Sequence, residues 1–119
     1  MDYKLYNLKK LDEIAQGDQS FIQDMLVTFV ENVTSDIEGI QSLKLVENWT
    51  AIAETAHKLA SNFAYLGADR LHALAVDIEK SVIRDHNLTG ITDKTDNLCN
   101  EGVLLISQLK KDFNIIDTN

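Results

Sequence analysis

Ile22, Leu26, Phe29, Val33, Ile37 and Ile40 follow one another at spacings of four, three, four, four and three residues. That rhythm is the apolar stripe of an α-helix packed against other helices. Met25 and Leu43 widen it, and it is sustained from Gln19 to about Leu45. A stripe of this length admits few folds, and the rest of the chain repeats it. Ile52, Ala56, Leu59, Phe63 and Leu66 run at four, three, four and three. Leu71, Leu74, Ala75, Ile78 and Val82 form a further stripe, and Leu98, Leu105 and Leu109 face inward from a last helix over about Ile91 to Phe113. With no proline and only five glycines, little interrupts these segments. Gly39 falls within the longest pattern, at a cost of up to about 1 kcal/mol relative to alanine.

The breaks between stripes read as helix ends. Asp18, after Gly17, and Asn48, before Trp49, are the expected N-caps, and Trp49 is expected to pack on the bundle end. Gly67 can take the left-handed conformation that closes a helix. So short a link makes the segments on either side of it an antiparallel hairpin. Arg84 to Gly90, RDHNLTG, reads as a loop, and Asp117-Thr118-Asn119 as a frayed end. Tyr3, Leu5, Leu8, Leu11 and Ile14 keep a three-residue rhythm that suggests a short helix or cap over one end. The expected architecture is all-α: an up-and-down antiparallel four-helix bundle with a short N-terminal capping helix. Residues 1–119 form one domain, with the cap over 1–16 and the bundle over 18–113.

The net charge of −8 argues against nucleic acid as a partner. Cys99 is the only cysteine, so no internal disulfide can form, and a reducing compartment fits. The opening MDYKLYNLKKLDE lacks the apolar core of a signal peptide, and no apolar run approaches the length of a membrane span. The composition therefore predicts a cytoplasmic protein without a membrane partner, and the start at Met1 without a linker favours one that stands alone.

On a helical wheel at about 100° per residue, His57 lies roughly 140° from the centre of its helix's apolar stripe, so it is expected to face solvent. Its wheel neighbours Ala53, Ala60, Ser61 and Ala64 are all small. A small-walled histidine on an outer helix face is open to another protein's active site. His72 lies about 100° from its own core axis, a boundary position to which no role is assigned. His86 sits in the polar loop and is expected to be merely solvated. Glu54-x-x-His57 and Asp69-x-x-His72 have the spacing of di-metal carboxylate bundles. The wheel turns Glu54 and His57 outward, and His57 and His72 differ in level by about 7 Å at 1.5 Å per residue, so no metal site is expected.

Ala56-His57-Lys58-Leu59-Ala60-Ser61-Asn62, then Gly67-Ala68, Leu71, Leu74-Ala75 and Ile78-Glu79 resemble the histidine-containing phosphotransfer (HPt) domains of bacterial phosphorelays. The family pattern is roughly A-H-x-L-K-G-S-x-x-x-x-G-A, followed by a helix of the form x-x-L-x-x-L-A-x-x-L-E. Tyr6-Asn7-Leu8, Leu11, Gly17-Asp18, Phe21, Leu26, Phe29 and Asn48-Trp49 are also similar, so the resemblance covers about residues 5 to 113. Two positions depart from the pattern: Ala60 replaces the lysine usual three residues after the histidine, and Ser61 the glycine that follows it.

The resemblance implies that His57 accepts and donates a phosphoryl group, exchanging it with an aspartate of response-regulator receiver domains in two-component signalling. Imidazole, with an unperturbed pKa of about 6.5, offers a neutral nitrogen nucleophile near pH 7. The chain has no glycine-rich phosphate loop, no carboxylate set for magnesium beside His57 and no ATP site. It is therefore read as a phosphocarrier and not an enzyme, with no cofactor of its own and Mg²⁺ expected on the partner receiver. In-line transfer needs positioning and charge stabilisation more than covalent help. Lys58 and Ser61 are the expected neighbours of the phosphoryl group, and Ala53, Ala60 and Ala64 the expected docking surface. The implied partners are a receiver domain, a hybrid sensor histidine kinase, or both, meeting a monomer. The missing lysine leaves one alternative: a bundle that only binds and has lost phosphotransfer.

Overall fold

The computed structural model describes residues 4–116. Tyr3 and the 117–119 end, both read above from sequence, lie outside the described residues. The chain forms α1 (Lys9–Ala15), α2 (Gln19–Leu45), α3 (Trp49–Tyr65), α4 (Asp69–Glu79), a π-helical turn (Lys80–Arg84) and α5 (Ile91–Phe113). The longest stripe becomes α2, whose inward residues Ile22, Leu26, Phe29, Val30, Val33, Ile37 and Ile40 are buried. Packing runs α2 to α3, α3 to α4, α4 to α5 and α5 back to α2, which closes an antiparallel four-helix bundle with α1 set against α2. The fold class is thus the one expected from the sequence.

The helix ends follow local chemistry. Asp18 accepts a hydrogen bond from the Phe21 amide at 3.1 Å, and Asn48 one from the Ala51 amide at 3.2 Å. Each satisfies an amide that has no partner within its own helix. Gly67 closes α3 at φ +61°, and its carbon is crowded from outside: a Cβ there would lie 2.1 Å from the Asn7 carbonyl oxygen. Residues 4–8 run as a strap across this end. The Asn7 amide donates to the Leu66 carbonyl at 2.9 Å, the Leu5 amide to Gln108 Oε1 at 2.8 Å, and Lys4 and Tyr6 both reach Asp112 of α5.

The structure adjusts several expectations. The helical part of the N-terminal cap begins only at Lys9, and among the described residues of its stripe only Leu11 is buried, while Ile14 is exposed. Gly39 lies on the open side of α2, with no atom within 4 Å of where its Cβ would be, and so belongs to the solvent face and not the stripe. α4 does not break cleanly into a loop at Arg84. It widens into the π-helical turn, whose end is tied by the Asp85 amide to the Lys80 carbonyl at 2.9 Å, and the loop proper is Asp85–Gly90. Among the described residues no helix is long and apolar enough to cross a membrane.

Candidate functional site

α3 turns Ile52, Ala56, Leu59 and Phe63 into the core, where each is fully buried. His57 stands on the opposite side of the same helix, its side chain 68% exposed. The hairpin at Gly67 brings α4 back alongside. His57 lies ten residues before the turn and Glu79 twelve after it. The two-residue difference puts them within about 3 Å of the same level at 1.5 Å per residue. Glu79 Oε2 is 2.6 Å from His57 Nδ1.

That contact orders the imidazole. A carboxylate only accepts, so it places the proton on Nδ1 and leaves the lone pair of a neutral ring on Nε2. The two nitrogens point away from each other across the ring, so the free nitrogen is directed away from Glu79. A second partner fixing the tautomer is the arrangement that makes a ring nitrogen a defined nucleophile.

On the other flank α2 and α3 enclose an open groove of about 500 Å³, lined by Asn32, Ser35 and Asp36 of α2 and by His57, Lys58, Ser61 and Asn62 of α3. Lys58 Nζ lies 3.4 Å from Asp36 Oδ1. A second groove, towards α4, is lined by Ala51, Glu54, Thr55 and Glu79, again with His57 and Lys58. His57 therefore sits on the ridge between two open channels, one amide- and hydroxyl-rich, the other acidic.

The residues expected around His57 do not all lie where the wheel puts them. Lys58 and Ser61 are exposed and share its groove, and Ala64 is half-buried. Ala53 and Ala60 are corrected: they are 0% and 8% exposed, and so offer almost no surface to a partner. The reason is steric. α3 is flanked by both α2 and α4, so its interfaces spread well beyond the central stripe, and alanines let neighbouring helices come close. The outward wedge is instead Glu54, His57, Lys58 and Ser61. His72 has a structural use: its Nδ1 lies 2.9 Å from the Ala60 carbonyl and ties α4 to α3. His86 is exposed in the loop. Among the described residues no three His, Cys, Asp or Glu side chains are grouped to hold a metal ion.

Two members of the site were not singled out from the sequence. Glu79 figured only as the last letter of a helix pattern, although the level argument that separates His57 from His72 selects it. Asp36 gave no such signal, because the register of α2 against α3 depends on how two stripes interlock.

Neither the curated proteins nor the solved structures give a significant match. The family model described as the Hpt domain matches residues 24–112, which holds His57, Lys58, Glu79 and Asp36. Hpt domains act in histidine phosphotransfer of two-component signalling, as phosphocarrier modules that meet receiver domains and histidine kinases. On a match over most of its length, the chain belongs to the Hpt domain family.

Proposed function

We propose that this chain is a phosphorelay intermediate that takes a phosphoryl group on Nε2 of His57 from a receiver aspartyl phosphate and returns it to another receiver aspartate. The observation that carries this reading is the Glu79–His57 contact beside an exposed ring. In the forward step the Nε2 lone pair forms the N–P bond as the P–O bond to the aspartyl carboxyl breaks, and the carboxylate leaves. The proton stays on Nδ1, and the ring, now bearing positive charge, remains against the Glu79 carboxylate. Such a transfer depends on alignment and on charge stabilisation of the moving group.

The chain supplies the nucleophile, its orientation and a docking ridge. On this reading the aspartyl group, the magnesium ion and the lysine beside it belong to the receiver, and this chain works as a cytoplasmic monomer with no cofactor of its own. Lys58 and Ser61 border the phosphoryl group, and Ala64 contributes to the docking ridge.

Incubation with a phosphorylated receiver domain is expected to place an acid-labile phosphate on the chain. His57→Gln is expected to take none while keeping its helical circular dichroism. Label that survives His57→Gln would move the acceptor elsewhere. A chain that binds the receiver yet takes no label would be an interaction module, the alternative that the departure at Ala60 leaves open.

A further inference from the structure

The charges around His57 are lopsided. Lys58 is the one cationic side chain lining either groove beside it, against the carboxylates Asp36, Glu54 and Glu79. Position 60, where the family carries its lysine, is a buried alanine. A phosphoryl group brings about −1.5 to −2 charges at neutral pH. The nearby ammonium able to meet that charge is already engaged, since Lys58 Nζ lies 3.4 Å from Asp36 Oδ1. Asp36 is far less exposed than Lys58, its side chain at 17% against 66%. The carboxylate is thus the fixed partner and the lysine, on its flexible four-carbon stem, the moving one.

We propose that Asp36 sets how tightly this chain holds its phosphoryl group, by competing with that group for the Lys58 ammonium. The inference rests on His57 being the acceptor. In the unphosphorylated chain Lys58 pairs with Asp36 across the α2–α3 groove. In the phosphorylated chain the same ammonium turns to the phosphoryl oxygens and leaves Asp36 in the groove without its cation. Both states keep one ion pair, so the phosphorylated one gains less from Lys58 than it would from an uncommitted lysine. The device keeps the N–P bond ready to give up its phosphoryl group.

The test needs no cognate partner. Phosphoramidate loads His57, the reagent is removed, and free imidazole is added. Phosphoryl then passes from Nε2 of His57 to a nitrogen of free imidazole, one N–P bond breaking as another forms, and ³¹P NMR reads the partition before hydrolysis. Exposed ion pairs shift such equilibria by about two- to fivefold. Asp36→Asn is expected to move the partition towards the phosphorylated protein by that factor, and Lys58→Gln to move it away. In the double variant the effect of Asp36→Asn is expected to shrink to a small residue, because there is no lysine left to release. An undiminished Asp36→Asn effect in the Lys58→Gln background would mean that Asp36 acts by its own charge alone, and the proposal falls. The proposal also falls if both single variants partition like the parent chain. Should His57→Gln load as well as the parent, the proposed function falls and takes this inference with it; a cycle without coupling on a chain that does load at His57 removes the inference alone.

Discussion

Among the described residues only Nδ1 of His57 has a polar partner, which makes the two nitrogens of the ring unequal. Glu79 holds Nδ1 at 2.6 Å. Without it the ring would share its proton between both nitrogens and rotate about χ2, and fewer encounters would present Nε2 correctly. Glu79→Ala is therefore expected to slow phosphoryl acceptance by about tenfold, equivalent to about 1.4 kcal/mol of lost orientation and charge balance. Glu79→Gln, whose amide oxygen still accepts from Nδ1–H, should retain more of the rate. Single-turnover transfer from a phosphorylated receiver measures both; equal losses in the two variants would point to carboxylate charge and not ring orientation. The opposite faces of α3 give a second contrast. Phe63 is fully buried, and cutting a core phenylalanine to alanine costs about 3–5 kcal/mol. That is a large part of the roughly 5–15 kcal/mol that holds a domain together. Phe63→Ala should lower the urea midpoint sharply and His57→Ala hardly at all. If His57→Ala were the more destabilising, the exposed placement of the ring would be refuted.

At the scale of the element, the helices repeat what the stripes and caps foretold, and the differences have identifiable causes. Periodicity fixes the centre of a buried face but not its width. A single wheel places Ala53 and Ala60 on open surface because it takes no account of a second flanking helix, and both are buried. The pairing of His57 with Glu79 could be had from counting residues about Gly67, since one tight hairpin sets both levels. The pairing of Lys58 with Asp36 could not, because it joins helices whose relative shift is decided by packing. The π-helical turn had no signature either: its residues KSVIR suit an α-helix equally well. Two glycines show how local setting decides the outcome of one substitution. Gly39→Ala enters open space on a helix face and should stabilise by up to about 1 kcal/mol. Gly67→Ala meets the Asn7 carbonyl at 2.1 Å from a left-handed backbone and should destabilise. Thermal melts of the two variants should move in opposite directions from the parent; a shift in the same direction would contradict this account of the hairpin.

Across the whole molecule, the strap of residues 4–8 makes stability depend on pH at both extremes. Tyr6 is pushed from 10.0 up to about 12, first by burial and then by its hydrogen bond to Asp112. A raised acid favours the neutral form in the folded state, so this contribution is complete below pH 10 and is lost as pH climbs towards 12. Asp112 is held below its usual 3.8, first by Lys4 and then by the Tyr6 hydroxyl. Its contribution is complete above that value and fades as pH falls beneath it. Tyr6→Phe should flatten the alkaline limb of a stability–pH profile measured by urea unfolding and weaken the acid limb in part. An unchanged alkaline limb would show that the hydroxyl contributes nothing to closing this end.

The same strap has a consequence for how such a domain can be connected. Lys4 and Asp112, at opposite ends of the described chain, are 2.7 Å apart, so the polypeptide enters and leaves the bundle at one corner. His57 lies near the middle of α3, eight residues after the helix begins at Trp49 and ten before Gly67 in the turn beneath the strap. A bundle with adjoining ends can be spliced into a surface loop of a larger protein, or carried on a tether from either terminus, with little change to its fold. In either setting the ridge that bears His57 would remain free to swing between partners, and the reach of the tether, more than the bundle itself, would decide which of them it meets.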